Sequence, residues 1–404
     1  MNKEPLLFLC HRIPFPPNKG DKIRSFNILK KLSESYDIHL GCFIDDPFDE
    51  QYKGALTQYC KSVFSLTQNK TFSKVKGLTG FVTGKPITLP YYADGRMFTW
   101  TKDIVQAHCI NKVFIYSSSM AQYCEGSMFE SMTRVIDFVD VDSDKWRQYA
   151  EKKSGIAKWF FNREYRLLAR YEDKICHEFD HSLFVSPDEA ALFRERQLNQ
   201  DKDKVHGLLN GVDVEFFDPD VAFEQENTPN APFISFTGAM DYWANVESVV
   251  WFVKHVWPKV REAKPDALFY IVGGNPTQEV KDLASVDGVV ITGRVHDIRP
   301  FIAQASCVVA PLRIARGIQN KVLEAMSLAK PVVSTTMAME GINAPQNHSN
   351  IIVDEPQVMA SACLSYLEKG QDATANRQWI LENFTWEQTL APLNNYLSPT
   401  ETLV

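Results

Sequence analysis

Short apolar segments alternate with longer amphipathic segments along the whole chain. In the first half the predicted strands are Leu6–Cys10, Ile38–Phe43, Val63–Leu66, Val113–Tyr116, Val135–Phe138 and His181–Val185. Helical spacing of apolar residues fills the stretches between them, most clearly over Asp21–Ser33. Strands that alternate with helices in this way predict a parallel sheet with helices on both faces.

A second alternating series follows the polar, proline-bearing stretch from Asp218 to Pro232. Its predicted strands are Phe233–Phe236, Leu268–Val272, Val289–Thr292, Cys307–Ala310 and Pro331–Ser334, and its predicted helices include Val246–Val260 and Gln319–Ala329. We therefore predict an α/β protein with two doubly wound domains, 1–210 and 231–383, joined by a linker over 211–230. A C-terminal helix over 384–404 is expected to pack back on the first domain. Ligands of open α/β sheets bind beyond the carboxyl ends of the strands, so the functional residues are expected in the loops there.

Composition narrows the class of protein. Of 404 residues, 45% are hydrophobic and 23% charged, which is typical of a soluble globular protein. The net charge of −7 argues against non-specific nucleic-acid binding. No apolar run reaches the roughly 18–20 residues of a membrane span. Leu6–Cys10 is too short for a signal peptide, so a cytoplasmic location is expected.

The loop after Cys307–Ala310 carries the strongest chemical signal. Its charged side chains are Arg313, Arg316, Lys321 and Glu324. The backbone N–H groups at a helix beginning near Ile318, together with three cations, would bind a diphosphate. Glu324 lies about two turns into that helix from Gly317, where a carboxylate can accept both hydroxyls of a ribose. The alternative is an ordinary solvated helix start.

Two further loops follow strands of the first domain. In His11–Asp21, Gly20 lets the backbone approach a ligand, although G-x-G-x-x-G is absent and a proline-stiffened surface loop is the alternative. Four acids lie at the end of the strand Val135–Phe138 and just beyond it, namely Asp137, Asp140, Asp142 and Asp144. They suggest metal binding or recognition of acceptor hydroxyls. The glycine and terminal glutamate of a calcium loop are missing, so no metal is expected.

The stretch from Lys145 to Lys174 mixes aromatic residues with many lysines and arginines. This mixture is typical of two different situations, contact with an anionic membrane surface and helices that cover a sheet.

Several motifs together resemble the large retaining family of GT-B glycosyltransferases, family 4. The similar stretches are Leu209–Asp213 with Phe217, Phe236–Gly238, Ile271–Gly274, Ile291–Val295, Leu323–Met326 with Lys330–Val333, and Phe384–Trp386. Pro311–Lys321 and Asp140–Trp146 resemble the subgroup associated with exopolysaccharide and PEP-CTERM loci. The resemblance implies two Rossmann-like domains that face each other across a cleft.

The resemblance also implies an activity. A hexosyltransferase of this family moves a sugar from a nucleoside-diphosphate sugar to a sugar or lipid-linked sugar acceptor, with retention and without a metal or other cofactor. The residues assigned to catalysis are Arg316, Lys321, Asp140 and Asp142. Those assigned to donor binding are Gly20, Gly238, Arg294, Val295, Arg313, Gly317, Ile318, Gln319, Asn320 and Glu324. Peripheral contact with the inner face of the plasma membrane fits a lipid-linked acceptor.

The chain departs from the family pattern in two places. Arg316 stands where the family has the first of two glutamates, the second being Glu324. Met240–Asn245 replaces a basic pair that binds the diphosphate. Our hypothesis is that Arg313, Arg316 and Lys321 supply the missing charge. The alternatives for function are a nucleotide-sugar epimerase of the same fold and a non-catalytic sugar-binding protein.

Overall fold

The chain forms two compact units in a computed structural model. The first unit is Met1–Leu209 with Leu390–Val404, and the second is Asn210–Thr389. The structure describes residues 3–17, 19–197, 201–223, 228–314, 318–344, 346–347, 349–370 and 372–398.

A parallel sheet in the order β3-β2-β1-β4-β5-β6-β7 organises the first unit. Its strands are β1 (Glu4–Cys10), β2 (Tyr36–Ile44), β3 (Cys60–Thr67), β4 (Lys112–Tyr116), β5 (Thr133–Val139), β6 (His181–Phe184) and β7 (Val205–Gly207). Residues Leu6–Cys10 are all fully buried, as expected for a parallel strand covered on both faces.

Helices connect these strands. They are α1 (Gly20–Ser35), α2 (Lys70–Gly77), α3 (Gly80–Thr83), α4 (Thr88–Tyr92), α5 (Gly95–His108), α6 (Asp142–Glu151), α7 (Gly155–Glu178) and α8 (Pro187–Arg196). Met97 of α5 and Leu168 and Ile175 of α7 pack in one core with Leu7 and Leu9 of β1.

The second unit holds a parallel sheet in the order β10-β9-β8-β11-β12-β13. Its strands are β8 (Phe233–Thr237), β9 (Leu268–Val272), β10 (Val289–Gly293), β11 (Cys307–Ala310), β12 (Val332–Ser334) and β13 (Asn350–Ile352). Its helices are α9 (Trp243–His255), α10 (Trp257–Ala263), α11 (Gln278–Asp282), α12 (Arg299–Ala303), α13 (Asn320–Ser327), α14 (Pro356–Lys369), α15 (Thr374–Asn383) and α16 (Trp386–Thr389). Apolar side chains of β8 and β9 alternate between two buried clusters, so both sheet faces are covered.

Both sheets follow the strand order 3-2-1-4-5-6 of a doubly wound Rossmann-like fold, with β7 added to the first. The predicted fold class is confirmed. The predicted helix Val246–Val260 is wrong as a single element: α9 ends at His255 and α10 begins at Trp257. Pro258 explains the break, since proline has no N–H and belongs in a first helical turn.

The predicted linker and C-terminal helix are divided differently in the structure. Where it is described, 211–230 belongs to the second unit, because the Arg377 guanidinium donates to the carbonyls of Val214 and Phe217 and to the Asp218 carboxylate. The last segment joins the first unit from Leu390 onward and contains α17 (Leu393–Tyr396). Within the described residues, no helix combines the length and apolarity that crossing a bilayer requires.

Candidate functional site

The carboxyl edge of the second sheet brings backbone segments unusually close together. Gly238 follows β8 and Gly273 follows β9. A Cβ atom on Gly273 would stand 1.7 Å from the Gly238 carbonyl oxygen, and one on Gly238 would stand 2.6 Å from Asn245 Nδ2. Only glycine therefore fits at both positions. The strand order reverses between the neighbouring strands β8 and β11, and the carboxyl edge at such a switch point is where doubly wound sheets bind ligands.

A buried lysine lies at this edge. Lys321 Nζ, on the first turn of α13, donates a 2.6 Å hydrogen bond to Asn245 Oδ1 and lies 4.7 Å from the centroid of the Phe236 ring. Asn245 is fixed in turn because its Nδ2 donates to the Ala239 carbonyl at 2.9 Å. Lys321 is 9% exposed and has no carboxylate within 4 Å among the described residues. The site thus has a cation held by neutral partners.

Two titratable groups on α13 respond to this environment. Burial lowers the pKa of Lys321 to about 8, while the negative charge of Glu324 opposes the shift. Burial raises the pKa of Glu324 to about 7, with Lys321 opposing it. The Glu324 carboxylate is half-buried and forms no hydrogen bond or ion pair with other described residues. A bound anion would supply a counter-charge for Lys321, and ligand hydroxyl groups would donate hydrogen bonds to Glu324.

The other residues predicted to bind the donor lie at different places on the second unit. Exposed Arg294 lies beside Gly274, and half-buried Val295 packs on the cluster of Phe233, Tyr270, Val272, Phe301 and Ala305. Buried Ile318 precedes Gln319, which is the N-cap of α13, and Asn320 Oδ1 is buried without a hydrogen-bond partner in the described chain.

Arg313 contacts other residues of the second unit, and its assignment to the donor stays a prediction. It donates to the Asp354 carbonyl at 3.3 Å and stacks 5.1 Å from the Trp251 ring. Trp251 lies six residues beyond Asn245 along α9, a rise of about 9 Å. Arg316 and Gly317 lie outside the described residues, so their assignment stays a prediction.

A buried ion pair organises the corresponding edge of the first unit. Arg24 Nε donates to Asp137 Oδ2 at 2.8 Å, and its Nη1 donates to the Leu208 carbonyl. Asp137 Oδ1 accepts from the N–H of Val139, whose φ of 71° is rare for a β-branched residue. The N–H of Asp140 then bonds to the Phe138 carbonyl, closing a strained γ-turn.

This turn delivers the two acids predicted to act in catalysis. Lys145 Nζ donates to Asp140 at 2.8 Å and to Asp142 at 3.0 Å. Both carboxylates are half-buried and share this one cation. The buried carboxyl of Glu172 accepts from the N–H of Ser143, and burial with the nearby charge of Asp142 raises its pKa to about 8. Asp140 and Asp142 are brought together, and their role stays a prediction.

In the loop after β1, the charge of Arg12 is also paired with carboxylates of the protein itself. Arg12 Nη1 donates to Asp21 at 2.7 Å, and Arg12 Nε lies 3.2 Å from Asp45. Although burial opposes it, bonding to His11 and Arg12 holds the pKa of Asp21 well below its usual range. Gly20 begins α1, is exposed, and has no atom within 4 Å of the position of a Cβ. Within the described chain, no group of three or more His, Cys, Asp or Glu residues could hold a metal.

Sequence reasoning missed Asn245, which lies in the segment noted above only for lacking a basic pair, and that gap was the available signal. The charged residues Lys19, Asp21 and Arg24, close together after the first strand, do indicate a functional loop. The buried pairing of Arg24 could not be predicted, because its partners are 113 and 184 residues away.

The part of the chain that contains this edge of the second sheet is similar to a known protein family. Residues 231–369 match the profile of Glycosyl transferases group 1. The matched segment contains Gly238, Asn245, Lys321 and Glu324, so the residues of this edge lie within the region that resembles the group 1 family.

Relatives extend the likeness over nearly the whole chain. An uncharacterized 44.6 kDa protein in the cps region of Klebsiella pneumoniae is 21% identical over 364 residues, covering 87% of this chain and 88% of that protein. The crystal structure of Anabaena Alr3699/HepE in complex with UDP and glucose covers 98% of this chain and 99% of its own, with 14% identity and a TM-score of 0.66. Sucrose-phosphate synthase from Thermosynechococcus elongatus covers 97% and 98%, with 15% identity and a TM-score of 0.68. These neighbours show that the chain has the GT-B fold of two Rossmann-like units, the second of which contains the segment matched by the group 1 profile.

Proposed function

We propose that this protein transfers a sugar from a nucleoside-diphosphate sugar to an acceptor. The observation that carries the proposal is Lys321, a buried cation that Asn245 and Phe236 hold at the switch point of the second sheet. A buried charge without a counter-charge is costly, and a diphosphate would supply the counter-charge. UDP-glucose is the donor to test first, since UDP and glucose occur in the complex of the Anabaena neighbour.

Each residue has a distinct role in the proposed reaction. Lys321 stabilises the diphosphate as it leaves, and Glu324 accepts hydroxyls of the ribose. Gly238 and Gly273 leave space for the donor close to the backbone. We propose net retention without a metal, with the leaving diphosphate oxygen taking the acceptor proton. The protein then contributes positioning and charge stabilisation rather than a nucleophile.

The acceptor is assigned to the first unit. Asp140 and Asp142 share Lys145 and can accept hydrogen bonds from a sugar. We propose a sugar or lipid-linked sugar acceptor in exopolysaccharide or cell-surface glycan synthesis. The relative encoded in a cps region supports this role weakly. A cytoplasmic location with peripheral contact at the inner face of the plasma membrane belongs to the same proposal.

A thermal-shift screen tests donor recognition. The chain is heated with UDP, GDP, UDP-glucose and related sugars, and a ligand of the native state raises its melting temperature. We expect a nucleoside diphosphate and its sugar to stabilise the parent but not Lys321→Met. If no nucleotide raised the melting temperature of the parent, the proposed donor site would be contradicted.

A product assay separates transfer from epimerisation. Incubated with donor alone, a transferase leaves the sugar configuration unchanged. An epimerised sugar in the NMR spectrum would favour the epimerase alternative.

A further inference from the structure

Exposed apolar side chains are concentrated on one part of the first unit. Half of the large apolar side chains exposed in the described chain come from residues 69–85 and 149–163, less than a tenth of its length. They are Phe72, Val75, Leu78, Phe81, Val82, Tyr149, Ile156 and Trp159. Single exposed apolar residues are normal, but a contiguous group marks an interaction site.

The two segments form one surface, here named the lysine–aromatic surface. Phe81 stacks on Trp159 with ring centroids 6.4 Å apart, and the Arg163 guanidinium lies 4.4 Å from the centroid of the Phe81 ring. Arg163 also donates to the Gly80 carbonyl at 2.6 Å. Ile87 N–H donates to Glu164 at 2.8 Å, fixing the chain just beyond the first segment. From the sequence, only the stretch that includes residues 149–163 was a candidate for membrane contact. The structure places residues 69–85 on the same surface.

This surface is strongly basic in an acidic protein. The two segments contain eight lysines and arginines and a single acid, Glu151, whereas the whole chain carries a net charge of −7. Glu151 is itself paired with Arg147. The cations alternate with the apolar residues, as in Lys70, Phe72, Lys74 and Val75.

We infer that the lysine–aromatic surface binds a lipid bilayer containing anionic lipids. Basic charge with aromatic and aliphatic side chains is what interfacial binding requires, and each lysine near an anionic bilayer strengthens it. Lysine stems lie along apolar surface while their charges reach the headgroups. A protein partner is less suited, because the cores of protein interfaces are depleted in lysine. The inference rests on the proposed function only in that a lipid-linked acceptor would be met there.

Vesicle sedimentation with the full chain tests the inference. The probes are vesicles of phosphatidylcholine alone and of phosphatidylcholine with roughly one third phosphatidylglycerol. We expect binding only to the anionic vesicles, weakening as salt is added. Val82→Glu and Ile156→Glu, at positions 91% and 86% exposed, should each weaken binding at least about tenfold. Val358→Glu, at an exposed position of α14, is the matched control and should bind like the parent.

Other outcomes would overturn the inference. These are no binding to anionic vesicles, equal binding to both kinds, or parent-like binding by both variants. A dimer in light scattering that both variants dissociate would assign the surface to a second copy instead. UDP titration of the parent and the same variants separates the two proposals. Vesicle binding without UDP binding contradicts the donor site alone. UDP binding without vesicle binding contradicts the membrane surface and the peripheral contact, and leaves the donor site standing.

Discussion

The two units share a strand order but treat buried charge at the carboxyl edge of the sheet differently. At this edge of the first unit the buried cation Arg24 meets the carboxylate of Asp137 at 2.8 Å. In the second unit Lys321 contacts the neutral Asn245 and the Phe236 ring, and no carboxylate of the described residues pairs with it. The first edge is electrically complete and suits a neutral, hydroxyl-rich ligand. The second suits an anion, so the same strand order offers two edges of different charge through the pairing of a few side chains.

Removing one member of the complete pair should have the largest effect. Asp137→Ala leaves the Arg24 guanidinium buried without its carboxylate and frees the N–H of Val139. A broken buried pair costs about 3–5 kcal/mol, and we expect that loss in the free energy of unfolding. Denaturant titration measures it.

The control for this variant is a half-exposed pair. Asp37→Ala removes the partner of Lys61, 3.7 Å away at the surface, and should cost less than about 1 kcal/mol. If Asp137→Ala were as stable as Asp37→Ala, the contrast between the two units would fail.

In contrast to Asp137→Ala, Lys321→Met should weaken donor binding strongly while changing the free energy of unfolding little. Because burial depresses the pKa of Lys321, its charge is unfavourable in the unliganded protein at pH 7. We expect the free energy of unfolding to change by no more than about 1 kcal/mol. Loss of a charge-assisted phosphate contact should slow turnover about a hundredfold or more. Calorimetric titration with UDP-glucose and a rate assay measure the two effects.

Lys254→Met is the matched control, since it removes an exposed lysine from the last turn of α9. It should bind the donor like the parent. Parent-like donor binding by Lys321→Met would instead remove the lysine from the site.

Donor affinity should depend on pH through both groups of α13. Lys321 is a cation below its pKa of about 8, and Glu324 is ionised above its pKa of about 7. Affinity therefore peaks between these values, falls by up to about tenfold per pH unit above them, and falls below them as Glu324 gains its proton. UDP-glucose is the suitable ligand, because its diphosphate has no terminal phosphate that titrates near pH 6.

Glu324→Gln separates the two limbs of that profile. It should weaken binding about tenfold at pH 8, since one charged hydrogen-bond acceptor is lost. The decline below pH 7 should disappear, while the alkaline decline remains. An acidic limb that persisted in this variant would assign it to another group.

The sequence predicted the two sheets well, because buried parallel strands appear as continuous apolar runs bounded by turns. It missed β7 and β13, because their three residues, VHG and NII, form no continuous apolar run. It predicted a helix over Gln319–Ala329 that contains Lys321 and Glu324. Because residues three apart share a helix face, it also placed their two side chains near each other. It could not place Arg313, since a guanidinium on a long stem can reach Asp354 and Trp251 as readily as a ligand.

Gly20→Ala should give the smallest change in stability and still test a predicted donor contact. No atom lies within 4 Å of the added Cβ, whereas a Cβ on Gly273 would stand 1.7 Å from a carbonyl oxygen. We expect the free energy of unfolding of Gly20→Ala to stay equal or rise by about 0.4–1 kcal/mol, because alanine restricts the unfolded chain. Since the unliganded protein has room for the methyl group, any loss of affinity must arise from the ligand. We expect UDP-glucose to bind about tenfold more weakly if it approaches the backbone here. If calorimetry showed unchanged affinity, the donor would contact residues of the second unit and not Gly20. The contrast between the units would then be clearer: the buried charges at the edge of the first unit are paired within the protein, whereas Lys321 in the second unit is paired by the ligand.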